Sequence, residues 1–139
     1  MKRIILLSLL LSSIFGNYNI EAQNKKAKVA TSSKAKIEVY YFHFTRRCIT
    51  CNAVESVSMD AIAKLYSTQS KNGQIRFTSV NLDDDSSAAL AQKCKAEGQA
   101  LIIISGKKRI DLTDKGFMYA KSQPDRLKAE LKKAIDSLL

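Results

Sequence analysis

The stretch V-Y-Y-F-H-F-T-R-R-C-I-T-C-N, residues 39–52, constrains this chain more than any other part of it. An apolar run stops at a short basic turn, a C-x-x-C follows at once, and apolar residues then recur with helical spacing. In residues 37–44 the apolar side chains fall on both parities, which predicts a strand covered on both faces. Thr45 to Arg47 form the turn. Val54, Val57, Ala61, Ile62 and Leu65 make one stripe, which predicts a helix over 48–70, with Glu55, Asp60 and Lys64 off the stripe. Lys71-Asn72-Gly73 supplies the stop, with Gly73 available for a left-handed cap. Two cysteines three positions apart at a helix start can close a small disulfide ring, or both can grip one soft metal ion.

The rest of the chain gives that unit its neighbours. Residues 74–82 predict a second strand through Ile75, Phe77, Val80 and Leu82. The acidic run Asp83-Asp84-Asp85 suits a helix N-terminus over 87–96, ended by Gly98. A calcium loop there lacks the remainder of its ligand pattern. Leu101-Ile102-Ile103-Ile104 is a buried strand by composition. The short turn Ser105-Gly106-Lys107-Lys108 returns the chain as an antiparallel strand over 109–112. Residues 113–123 read as irregular. Pro124 starts a last helix with Leu127, Leu131, Ile135 and Leu138 on one face. The expected architecture is α/β: a mixed four-stranded sheet with three helices in the order β-α-β-α-β-β-α, as one domain over residues 37–139.

The net charge of +10 raises nucleic acid as a partner, so the position of the charges matters. Lys25, Lys26, Lys28, Lys34 and Lys36 crowd into one short stretch, whereas residues 37–139 hold 16 Lys/Arg against 12 Asp/Glu. Most of the excess therefore lies outside the expected domain. With no aromatic-plus-basic stripe, no nucleic-acid partner is expected. Residues 23–36 read as a disordered basic linker, too poor in apolar side chains to offset ordering entropy. Residues 1–22 read as an export signal: Lys2 and Arg3, an apolar run over 4–15, and Ile20-Glu21-Ala22 as a cleavage site. That run is shorter than the roughly 20 residues that span a bilayer, although an uncleaved anchor is the alternative. A periplasmic or secreted location follows, where a dithiol meets oxidising conditions.

Thiol–disulfide exchange needs one cysteine with a lowered pKa. Cys48 is placed for that at a helix N-terminus, with Arg46 and Arg47 beside it unless both are simply solvated. Cys51, one turn deeper, is the covered resolving thiol. His43 is the one histidine. It can take a proton from a thiol, complete a metal site with Cys48 and Cys51, or end a buried strand with its ring on backbone groups. On a regular strand it shares a face with Thr45, opposite Phe42 and Phe44. Cys94 is the third thiol, either a small buried side chain or a further redox or metal thiol near Cys48.

A C-x-x-C between a buried strand and a helix resembles the thioredoxin superfamily, over residues 36–139 in element order. More narrowly, Tyr40-Tyr41-Phe42-His43, Arg47-Cys48-Ile49-Thr50-Cys51 and Glu55 resemble a bacterial thioredoxin-like group, the nitrophenyl compound nitroreductase subunit (ArsF) family. The resemblance implies a thioredoxin-like fold and a membrane electron donor or permease as partner. Three departures qualify it. The step where thioredoxin-like proteins carry a cis-proline reads Gly98-Gln99-Ala100-Leu101, so substrate docking is expected to differ, with Gln99 a candidate modulator. The dipeptide between the cysteines is Ile49-Thr50. Phe42 stands where a buried acid is usual, leaving His43 as the nearest ionisable group to Cys51.

The leading expectation is an extracytoplasmic thiol–disulfide oxidoreductase, a monomer acting on protein thiols and disulfides, with a redox-active disulfide and no other cofactor. Two alternatives stand beside it: a soft-metal protein using the same cysteines, and a docking subunit without catalysis.

Overall fold

A computed structural model describes residues 36–139. The export signal expected over 1–22 and all but the last residue of the linker expected over 23–36 lie outside the described residues. Four strands form one mixed sheet in the order β2-β1-β3-β4. β1 is Ile37–His43, β2 Ile75–Asn81, β3 Ala100–Ser105 and β4 Lys108–Asp111. β1 runs parallel to β2 and antiparallel to β3, and β3 and β4 form an antiparallel hairpin. Gly106, at φ +59°, turns that hairpin in the left-handed region that glycine enters without a Cβ clash. The coarse architecture is therefore the α/β layer arrangement that the residue pattern implies.

β1 is central and covered on both sides because its two parities feed two cores. Ile37, Val39 and Tyr41 join Val54, Ala61 and Ile62 of α1 (Ile49–Leu65) and Leu127, Leu131 and Ile135 of α5 (Pro124–Asp136). Tyr40 and Phe42 join Val80, Ala91, Cys94, Ala100 and Ile102 on the face of α3 (Ala88–Cys94). Each side chain follows the strand's two-residue alternation, so one slip in register would exchange the two cores.

Among the described residues five α-helices stand where three were expected, with a 3₁₀ turn over Asp85–Ser87 before α3. The predicted helix over 48–70 is divided: α1 ends at Leu65, and α2 (Ser67–Lys71) restarts after Tyr66, whose φ −128° and ψ 38° break the helix. The buried Tyr66 ring sends its hydroxyl to Asp136 Oδ1 at 2.6 Å, tying the break to the end of α5. The stretch 113–123, read as irregular, contains α4 (Thr113–Tyr119). Its sequence lacks an apolar stripe and carries Gly116, but Gly116 is needed for close approach. A Cβ there would lie 3.3 Å from Val54 Cγ1 and 3.4 Å from Leu101 Cδ2, so α4 packs against both α1 and β3. α3 ends at Cys94 with Lys95 as its left-handed cap at φ 54°, not at Gly98. Arg109 donates to the Cys94 carbonyl at 2.8 Å, which satisfies that helix end from β4.

Leu131 is fully buried between α5 and the sheet. Leu131→Ala is expected to destabilise the fold by about 2–5 kcal/mol, read by chemical denaturation, because it removes buried methylenes and leaves a cavity.

Candidate active site

The parallel pairing of β1 and β2 aligns His43 with Asn81, so the loops that leave both strands emerge at the same edge of the sheet. The antiparallel pairing of Phe42 with Ala100 brings the start of β3, and Gln99 before it, to that edge as well. Three separate segments therefore meet where the C-x-x-C lies.

Cys48 is the N-cap of α1, in extended backbone (φ −83°, ψ 166°), and its Sγ accepts the Cys51 N–H at 3.2 Å. Cys48 and Cys51 form a disulfide, with Cα atoms 5.1 Å apart. The two sulfurs differ in access: Cys48 is exposed, whereas Cys51 is 2% exposed. The first turn of α1 carries no acidic residue, so nothing offsets the positive end of its dipole. Phe44 and Ile49, both exposed, flank Cys48 in sequence with apolar surface.

The turn between β1 and Cys48 is held at two points. At the first, Thr45 N–H donates to Asp83 Oδ2 at 2.7 Å, and Asn81 Nδ2 donates to Thr45 Oγ1 at 2.9 Å. The bonds from the Thr45 backbone and hydroxyl hold the Asp83 carboxyl below its ordinary pKa. At the second, Arg47 reaches in two directions: Nη1 pairs with Glu55 Oε2 on α1, and Nη2 contacts His43 Nε2 at 2.8 Å.

The hydrogen-bond pattern assigns the state of His43. Its Nδ1 lies 3.0 Å from the Phe44 carbonyl, which can only accept. A guanidinium can only donate, so Nε2 must offer its lone pair to Arg47. His43 is thus neutral with its hydrogen on Nδ1, a tautomer assigned from its partners. Both nitrogens are used and the side chain is 5% exposed. It lies on the Tyr41 face of β1, the two rings 5.8 Å apart.

No protein-family model matches the chain, and no curated protein does. It is similar to the solved structure of a malarial protein at 24% identity, with a TM-score of 0.44, covering 70% of this chain and 96% of that one. A likeness at that level carries no argument about fold or function.

The remaining candidates separate in space. Arg46 is exposed, whereas Arg47, taken as either a solvated or an anion-facing cation, is committed to Glu55 and His43. Cys94 is buried on the opposite face of the sheet, with Tyr40 and Phe42, and burial raises its thiol pKa. Of the two readings of Cys94, the structure gives the small buried side chain. Gln99 has a buried Oε1 without a hydrogen-bond partner. Among the described residues no group of three or more His, Cys, Asp or Glu is placed to hold a metal ion.

Sequence reasoning missed Glu55, Asp83, Asn81 and Tyr41 as members of this site. Glu55 lies off the apolar stripe, yet it is four residues after Cys51, and helical side chains lean toward the N-terminus. That lean brings its carboxylate to Arg47. Burial would raise the Glu55 pKa, but the Ser79 hydroxyl and the Arg47 guanidinium outweigh it and hold the carboxyl below its ordinary value. Burial pushes the Tyr41 hydroxyl up to about 12, and that hydroxyl has no hydrogen-bond partner. The signal for Asn81 and Asp83 was the parallel crossover itself, which sets the end of β2 beside the end of β1.

A carboxyl whose folded pKa is depressed contributes stability above its unfolded value and loses it as pH falls through the folded value. For Glu55 the loss therefore begins below about 4.5, its ordinary pKa. Thermal unfolding followed down through that range is expected to show a smaller decline for Glu55→Gln than for the parent protein. Above that range the substitution is expected to cost about 1 kcal/mol, a value that allows for solvent screening of a partly exposed pair.

Proposed function

We propose that this protein is a thiol–disulfide oxidoreductase working through Cys48 and Cys51 on a thioredoxin-like domain. The observation that carries this is the pair's asymmetry: an exposed sulfur capping a helix N-terminus, bonded to a covered one a turn deeper. An incoming thiolate can reach Cys48 far more readily than Cys51. In the reduced protein the Cys51 N–H and the end of α1 favour a Cys48 thiolate.

The exchange balances without any other group. The Cys48 thiolate attacks a partner disulfide; a Cys48–partner S–S bond forms, and one partner thiolate leaves and takes a proton from water. Cys51 gives up its proton to solvent and attacks Cys48 Sγ; the internal disulfide closes and the second partner thiolate departs. Two electrons pass from the dithiol to the partner, and the reverse sequence oxidises a partner dithiol.

The thioredoxin-like assignment is supported by the element order, with α2 and α4 as additions, and by the motif between a buried strand and a helix. Work outside the cytoplasm rests on residues 1–22, and a membrane electron donor rests on the resemblance of residues 40–55 to the ArsF group. The exposed Phe44 and Ile49 suit docking of a partner polypeptide beside the sulfur.

Mass-spectrometric alkylation of the reduced, folded protein is the test. Cys48 is expected to label fastest near neutral pH and Cys94 slowest. Cys48→Ser is expected to lose exchange with oxidised glutathione, and Cys51→Ser to trap a mixed disulfide at Cys48. Equal labelling of Cys48 and Cys94, with no cycling by the parent protein, would sink the proposal. Equilibration with glutathione then gives the potential that decides its direction.

A further inference from the structure

We propose that His43 is a positioning residue for the redox pair: in its neutral form it holds Arg47, and its protonation releases the turn that presents Cys48. This rests on the thiol–disulfide reading above and adds a pH-dependent control to it.

The turn after β1 has two side-chain anchors, and they differ in kind. The Thr45 anchor joins a backbone amide and a hydroxyl to Asp83 and Asn81. The Arg47 anchor depends on an imidazole nitrogen serving as acceptor. Nε2 can serve so only while it lacks a proton. Once protonated, Nε2–H would face the Arg47 amino group at the present 2.8 Å as two donors and two like charges, an arrangement that cannot persist.

The groups around His43 decide what replaces it. Arg47 faces the imidazole with a fixed positive charge, and the carboxylates of Glu55 and Asp83 lie near enough for His43 to act on both. Tyr41 presents its ring to the imidazole. The Glu55 carboxylate, which now serves Arg47, can serve an imidazolium in its place. Protonation therefore moves Glu55 toward His43 and frees Arg47. Without that anchor, Arg47 no longer fixes the residue preceding Cys48, and the helix-cap contact from Cys51 N–H to Cys48 Sγ loses its support. Acidification thus slows exchange beyond the loss caused by protonating the thiolate.

The experiment uses the purified full chain, reduced, with oxidised glutathione as the probe disulfide. Rates are divided by the Cys48 thiolate fraction read from its ultraviolet absorbance. Between about pH 8 and about pH 5.5, spanning the range where histidines commonly titrate, the rate per thiolate is expected to fall several-fold in the parent protein. His43→Gln keeps an acceptor for Arg47 and a donor for the Phe44 carbonyl but does not titrate, and its rate per thiolate is expected to stay level. A flat parent profile, or the same fall in His43→Gln, overturns the proposal. If that variant does not fold, Arg47→Gln removes the cation facing Nε2 and is expected to abolish the fall in the same way. A parent protein that never exchanges would refute the redox reading itself. The anchor is then read alone, by imidazole nitrogen shifts and amide hydrogen exchange of Arg46 to Cys48. Nε2 is expected to be unprotonated at about pH 8, with faster amide opening than base catalysis predicts once it protonates. A proton on Nε2 at the higher pH, or protection unchanged by protonation, overturns the anchor.

Discussion

Strand β1 has no solvent face, and most of the structure follows from that. Ile37, Val39, Tyr41 and Phe42 are fully buried, so apolar layers must cover both sides of the sheet. α1, α4 and α5 provide one layer, and α3 provides most of the other. A strand buried in this way can place chemistry only where it ends. Its last residue, His43, is still 5% exposed, whereas Phe44, Thr45 and Arg46 are exposed. The passage from dry core to open turn occurs within one residue of the histidine. Polar groups at such a boundary must find partners inside the protein. Arg47 and the Phe44 carbonyl meet that need for His43, and Asp83 and Asn81 meet it for Thr45.

Environment, more than residue type, separates the three cysteines. Cys48 caps a helix that has no acid in its first turn and lies open to solvent. Cys94 ends a shorter helix inside an apolar cluster, where burial disfavours its thiolate, and its carbonyl is held by Arg109. One helix end stabilises negative charge and the other does not. A thiol at the C-terminal end of α3, beneath Tyr40 and Phe42, behaves as a small apolar side chain. Cys51 stands between these extremes, buried like Cys94 but bonded to Cys48.

The strands were legible because periodicity and composition dominate there: each observed strand lies within a residue or so of its apolar run. The ends of the helices were less legible. Tyr66 breaks the first helix for a partner 70 residues away, Asp136, which no local pattern contains. α4 was hidden because Gly116 lowers helix propensity while serving a contact with Val54 and Leu101. Lys95 adopts a conformation usually left to glycine, and the helix before it ends at Cys94, two residues short of the end expected at 96. At the site, the cysteines were legible from spacing alone. The partners of His43 and Thr45 were not, because they come together through strand pairing and not through sequence proximity.

Phe42 stands where the resemblance to thioredoxins leads one to expect a buried acid. Its side chain lies fully buried in the α3-side core, among Tyr40, Val80, Ala100 and Ile102. Of these only the Tyr40 hydroxyl could donate to a carboxylate, and it already bonds Glu38, so an acid at 42 would be a buried charge short of partners. The chain instead carries its carboxylate on α1, on the other side of the sheet, where Glu55 meets a guanidinium and the Ser79 hydroxyl. A single-residue shift along β1, from Phe42 to His43, reverses the face and hence the set of available partners. An apolar residue at 42 and a histidine at 43 thus each face the side of the sheet that can accommodate them, His43 beside Arg47 and Glu55.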